Sequence, residues 1–391
     1  MSRKGTTWTL VLALLAIVLC GSARGEKGRD FIEEARLIFV AAACDDGKVP
    51  AGIDAVVVES HCREVRRHLA KARKDFVDKA RPFIAALLPK DLPTNVVYPF
   101  GGGDLLTALA TYPDAVEITT ISLESAGDPR RLSKAGSREL RDALKKFRTM
   151  QIYLLDMHDN RTANLPPFER GIMPGQLAFS LTAAAVCGYE PVSLSYFRIE
   201  PDGALHYLTE KDIAALERVK NKKLASFMPE PDFSPAFRNM ELTLRRRAPG
   251  AGPKTIVHRH IAANLGNRNF ARSALKKYLE SKGKISAMTK AGGYLLWRDD
   301  FSALRGYLLG SMAFMISDST GILPRHARAA GFEQTTYGAF NGAFLPDNGG
   351  ADAAELRSLW KSQPFRKLPF RYGYSDIRGE NHLMVTRPKP R

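Results

Sequence analysis

The stretch from Asn95 to Leu123 constrains the fold most. Val96 to Phe100 is a short apolar run, and Gly101-Gly102-Gly103 then turns the chain. Asp104 stands at an N-cap position before Leu105, Leu106, Leu109 and Ala110, which recur at helical spacing until Pro113. Val116 to Leu123 is a second apolar run. Strand, tight turn, helix and strand in so few residues open a βαβ crossover, so the two strands run parallel in one sheet.

Further along, helical spacing predicts helices over 30–43 and 54–88, the second capped by Asp54 and stopped by Pro89. Ser137 to Met150 reads as a helix, Ile152 to Leu155 as a short strand, and Gln176 to Val186 as a helix ended by Gly188. Val192–Ile199 and Leu205–Leu208 form a hairpin around Pro201-Asp202-Gly203. Thr209 and Asp212 have capping-box spacing before a helix over 213–219. Met240–Arg247 and Thr255–Ala263 alternate in polarity like paired antiparallel strands. Phe270–Leu279 is a further helix, and Met312–Ile316 the last core strand. The fold class is therefore α/β, with a mixed, partly parallel sheet of Rossmann-like type over 93–345. A helical hairpin over 26–92 precedes it, and an irregular basic tail over 346–391, lying over the surface, follows.

The N-terminus predicts export. Arg3 and Lys4 precede an unbroken apolar run from Leu10 to Leu19, and Ala23-Arg24-Gly25 offers small residues for cleavage after Gly25. Such a run is too short to cross a bilayer as a helix. Residues 1–25 read as a signal peptide, and the mature chain as a periplasmic or secreted protein with no transmembrane segment. The chain has 391 residues, 45% hydrophobic and 25% charged, which excludes collagen-like, disordered and multi-pass membrane classes. Losing Arg3, Lys4 and Arg24 leaves 55 basic residues against 41 acidic ones, a mature net charge of +14. That surface favours anionic neighbours such as an envelope polymer. No nucleic-acid motif accompanies it, and nucleic acid is not an expected partner. Cys44, Cys62 and Cys187 survive cleavage. In an oxidising compartment the odd count suggests one disulfide and one buried thiol. Cys44 and Cys62 would staple the helix pair, with Cys187 buried.

The carboxyl ends of parallel strands are where open α/β sheets bind ligands. Gly101, Gly102 and Gly103 sit at such an end, with Tyr98 beneath them and Glu124 at the close of the next strand. In nucleotide-binding units an acid at that place accepts hydrogen bonds from ribose hydroxyls, and the first βαβ unit has this Rossmann- and methyltransferase-like character. Asp104 puts a negative charge where a pyrophosphate would sit, which favours a neutral or cationic ligand. Asp104 and Glu124 are expected to act as hydrogen-bond acceptors or general bases. The blocks Val97-Tyr98-Pro99-Phe100-Gly101-Gly102-Gly103-Asp104 and Ala115 to Glu124 resemble segments of exported bacterial proteins with no assigned activity. Ile316-Ser317-Asp318-Ser319-Thr320-Gly321 and Tyr337-Gly338 are similar to later segments of the same group. The resemblance implies that the blocks meet in one site, adding Asp318 and Ser319 to it.

His258-Arg259-His260 lies on a predicted strand, so both imidazoles share a face and could ligate a metal, while Arg259 points to the opposite, solvated face. A third ligand would come from Asp156-Met157-His158-Asp159, His158 foremost, or from His206. Ser273-x-x-Lys276 and Ser281-x-x-Lys284 match an acylation pair but lack its companion motifs. Gly-x-Ser-x-Gly, Walker A, His-Glu-x-x-His and EF-hand patterns are absent. Three functions remain. The first is binding of a small polar ligand at an acid-lined pocket on the sheet edge. The second is metal-dependent hydrolysis by the His-x-His pair, and the third is a basic envelope interaction protein without chemistry. No cofactor is identified, and whether the chain is an enzyme stays open.

Overall fold

The computed structural model describes residues 28–45, 48–156, 171–228, 232–247, 255–342, 350–373 and 380–390. Residues 1–25, expected to be a signal peptide, and His158 and Asp159 lie outside these residues. Ten strands form one sheet: β1 (Asn95–Pro99), β2 (Glu117–Ser122), β3 (Tyr189–Ile199), β4 (Leu205–Tyr207), β5 (Asn239–Arg246), β6 (Thr255–Ala262), β7 (Ile285–Thr289), β8 (Met312–Ser317), β9 (Phe332–Ala339) and β10 (Asn381–Pro388). Their order is β4-β3-β5-β6-β2-β1-β7-β8-β10-β9. The central strands β6, β2, β1, β7 and β8 are mutually parallel. Antiparallel strands extend the sheet on both sides. The chain is thus a mixed α/β protein.

The parallel strands are covered on both faces, which is why they read as nearly continuous apolar runs. Tyr98, Ile118, Met288 and Ile316 look toward helices Ile32–Ala43, Leu105–Thr111 and Gly175–Cys187. Val97, Ile121, Ala287 and Met315 pack with Leu275, Leu279, Leu304 and Leu308 from helices Ala274–Glu280 and Ser302–Ser311. Helix Ile32–Ala43 rests on β3 and on helix Gly175–Cys187, and helix Ala55–Ala72 on helix Ser137–Asp156. The Asp54 carboxylate accepts the Val57 amide at 3.0 Å and caps its helix as expected. Cys44 and Cys62 are joined in a disulfide with a Cα–Cα distance of 5.2 Å. Cys187 is a buried free thiol, which burial pushes up to about 11. No helix among the described residues is long and apolar enough to cross a membrane.

Several local expectations are corrected. The strand expected at Ile152–Leu155 is the last turn of helix Ser137–Asp156, because Leu144, Phe147, Gln151 and Leu155 continue one buried stripe. The helix expected at Phe270–Leu279 is divided, since the Ser273 hydroxyl accepts the Lys276 amide and starts a new helix there. That cap also removes Ser273 from the Ser-x-x-Lys reading, while Lys276 pairs with Glu280. The tail is not an irregular surface segment. It contributes helix Gly350–Lys361 and β10, whose Leu383, Met384 and Val385 are buried between β8 and β9.

Candidate functional site

Each glycine of the bend has its own steric reason. A Cβ on Gly101 would meet the Tyr98 ring at 2.8 Å, and one on Gly103 would meet Phe179 at 3.0 Å. Gly102 has φ +48°, in the left-handed region. Neighbouring strand ends close in on this bend. A Cβ on Gly292, after β7, would meet Phe100 at 2.9 Å, and one on Gly293 would meet the Thr320 carbonyl at 2.6 Å. The loops after β1, β7 and β8 therefore meet. Phe100 and Ala291 adopt φ of 62° and 55° at two of these loops, which is unfavourable for residues with a Cβ.

Asp104 does not face outward with a free charge. One of its oxygens accepts the Thr107 amide at 3.3 Å and the Thr107 hydroxyl at 2.7 Å. The other accepts the Tyr98 hydroxyl at 3.0 Å and the Lys290 ammonium at 3.2 Å. All four lone-pair directions of the carboxylate are used, so Asp104 ties the helix cap to the sheet and is no free base. Burial and the Asp104 charge raise the Tyr98 phenol well above its ordinary value, so it stays a donor. Lys290 was not singled out from the sequence. It ends the loop side of β7 before Ala291-Gly292-Gly293 and is 1% exposed. Asp318 is likewise occupied: it accepts the Thr320 amide and hydroxyl on one oxygen and the Ala291 amide at 2.9 Å on the other.

Glu124 is different. It lies two residues beyond β2, is 1% exposed, and neither carboxylate oxygen has a hydrogen-bond partner among the described residues. One of those oxygens would stand 3.9 Å from a Cβ on Gly102, so it borders the bend directly. The Gln176 side-chain oxygen borders Gly103 and is also unpartnered. The hydroxyls of Ser122, Thr289 and Ser317, the last residues of β2, β7 and β8, are buried without partners, as is that of Ser319. Buried polar groups are nearly always bonded, and an unpaired carboxylate out of water is the most costly kind. These unmet groups gather at one edge of the sheet, its carboxyl edge.

The histidine pair is placed as predicted and used otherwise. Thr120 pairs with His260 in the ladder, and its hydroxyl lies 3.0 Å from His258 Nε2 and 3.2 Å from His260 Nδ1. His260 Nε2 lies 2.8 Å from the Glu124 carbonyl, which can only accept, so that nitrogen carries the proton. The chain of donors then runs from His258 Nε2 through the Thr120 hydroxyl to His260 Nδ1, and from His260 Nε2 to the Glu124 backbone. Burial lowers His258 to about 3 and His260 to about 4, so both rings are neutral at pH 7. Three of the four ring nitrogens are engaged, and no cluster of three metal-ligating side chains forms among the described residues. His206 bonds Asp212 at the edge hairpin, 3.1 Å away. Arg259 does point to the opposite face but is not solvated: it is half enclosed and ion-paired with Glu117 and Glu241.

Asp104, Glu124 and Asp318 are all buried. Three surface hollows of about 650, 370 and 400 Å³ lie elsewhere and touch none of these residues. The loops after β1, β7 and β8 converge beside the bend. No family model and no curated protein matches the chain.

Proposed function

We propose that this protein binds a small, donor-rich polar ligand at the carboxyl edge of its sheet, with Glu124 as the principal acceptor. The observation that carries this reading is the Glu124 carboxylate, buried with both oxygens unmet beside the glycine bend. Two free carboxylate oxygens side by side suit two adjacent hydroxyls, as on a ribose, or one ammonium group. Unmet Ser122 and Gln176 oxygens supply further contacts. Numbered by appearance, the five parallel strands run 3-2-1-4-5, and β1 lies at the point where successive connections change direction. That order supports a Rossmann-like type, whose ligands sit at this point in a crevice outside the carboxyl ends of the strands. Because Glu124 is buried, ligand entry requires the loops after β1 and β7 to open. Export through the 1–25 signal is part of the same proposal, supported by the Cys44–Cys62 disulfide, which suits an oxidising compartment.

Calorimetric titration of the mature chain with adenosine and, separately, with ethanolamine tests the ligand class. Saturable binding of either, weakened at least about tenfold by Glu124→Gln, is the expected outcome. Adenosine binding that 2′-deoxyadenosine does not reproduce identifies the diol. No saturable heat with either probe removes the reading. Mass spectrometry of the exported protein should find an N-terminus at Glu26.

A further inference from the structure

A second site is built independently of the carboxyl edge, between helices Ala55–Ala72 and Ser137–Asp156. We propose that the cleft between these helices binds a small phosphate-type oxyanion, held by Arg141, Lys145 and Arg148 over the buried imidazole of His61. The cleft has a volume of about 400 Å³, and these four side chains line it together with Ser60 and Glu64. Arg141, Lys145 and Arg148 recur at i, i+4 and i+7, so one helix face presents all three to the cleft. Like charges at that spacing destabilise an isolated helix, so helix stability does not account for the cluster.

Their pairing is incomplete. Arg148 reaches Glu64 at 3.1 Å, whereas Arg141 and Lys145 have no salt-bridge partner among the described residues. Asp54, the cap of the facing helix, feels the Arg141 charge but forms no ion pair with it. Glu64 and Asp54 are the carboxylates that oppose an anion here, and the three bases outnumber them.

His61 is the second observation. It is 3% exposed, it lines the cleft, and neither ring nitrogen has a hydrogen-bond partner among the described residues. An apolar side chain would fill the same volume of the helix interface without leaving two polar atoms unmet. Burial, aided by the Arg148 charge, lowers His61 to about 4, so at neutral pH it is an uncharged ring with one N–H to donate. An oxyanion seated at the N–H edge of the ring takes that N–H on one oxygen. The guanidiniums of Arg141 and Arg148 can take the remaining oxygens in their fork geometry, and the Lys145 ammonium adds charge. The same chemistry is offered by a free phosphate and by a lipid phosphate. The enclosed imidazole at the base of the cleft favours the free, small ligand.

The test uses the mature full-length chain and inorganic phosphate at low ionic strength. Titration calorimetry should give one saturable site, and the His61 ring resonances should shift on addition of phosphate. The Arg141→Ala/Lys145→Ala double variant alters two exposed side chains and should keep the wild-type unfolding midpoint while binding at least about tenfold more weakly. Flotation with phosphatidylglycerol and phosphatidylcholine vesicles forms the second arm, and the expected result is no recruitment to either. The proposal is overturned by absence of saturable binding up to about 10 mM phosphate, far weaker than a built site. It is equally overturned by unchanged affinity in the double variant, or by recruitment to the anionic vesicles alone.

Discussion

Strand β2 carries a glutamate at each end, and the two are handled in opposite ways. Glu117 opens the strand. It meets Arg259 and Lys282, receives the Thr119 hydroxyl at 3.1 Å, and is 17% exposed along its side chain. Burial alone would raise its carboxyl, but the Lys282 and Arg259 charges outweigh that and hold it below the ordinary glutamate range. Glu124 lies just past the other end, is more deeply buried, and meets no donor. A sheet edge concerned only with folding is saturated with partners, as the amino edge is. The carboxyl edge leaves acceptors unmet, and in parallel sheets that is the edge where ligands are handled.

The largest effect separating the two ends should come from Glu117. Glu117→Ala leaves Arg259 with Glu241 alone and Lys282 with no carboxylate partner among the described residues, in a half-enclosed setting. Breaking a buried pair from one side typically costs about 3–5 kcal/mol. Urea unfolding should show a loss near the lower end of that range, because Arg259 keeps one partner. An unchanged midpoint would mean that the amino-edge network is ornamental and that the contrast between the ends does not exist.

The next effect concerns the face that positions Glu124. His258 and His260 fold with values of about 3 and about 4, against 6.5 when free. Below pH 6.5 the unfolded chain takes up protons that the folded rings refuse. Their contribution is complete above pH 6.5 and is lost as pH falls toward 4. Each ring should cost about 2 kcal/mol between pH 6.5 and pH 5, a slope of about 1.4 kcal/mol per pH unit. Glu117 has its stabilising charge fully in place above the unfolded glutamate value of 4.5, so this window reports on histidines. Urea midpoints of wild type and His258→Leu at pH 7, 6 and 5 check this, and the variant should lose the shallower share. Equal slopes would show that His258 is not held neutral.

How much of this arrangement could be read beforehand follows from how local each signal is. The β1–helix–β2 unit, the hairpin of β3 and β4, the His-x-His face and the Asp54 cap rest on neighbouring residues, and each was legible. β7 was not, since Ile-Ser-Ala-Met-Thr has small and polar residues that only a strand covered on both faces can hold. β10 was missed because its partners, β8 and β9, come long before it and the surrounding tail is basic and Pro-rich. At the site, Glu124, Tyr98 and the glycines were foreseeable from strand-end position. The neutralisation of Asp104 was not, because Lys290 lies 186 residues away. One clue existed: Lys290 precedes Gly292-Gly293 much as Phe100 precedes the first glycine bend, two strand ends with the same punctuation.

The smallest stability effect should be the most informative. Glu124→Gln keeps the shape and removes a charge that has no partner. Since nothing in the folded chain relies on that charge, unfolding stability should change by less than about 1 kcal/mol, in the stabilising direction. Substitution at one end of β2 thus weakens the fold, while substitution at the other spares it and removes ligand binding. Should Glu124→Gln destabilise the protein as strongly as Glu117→Ala, the carboxylate is a folding element with hidden partners, and the carboxyl edge loses its claim to a ligand.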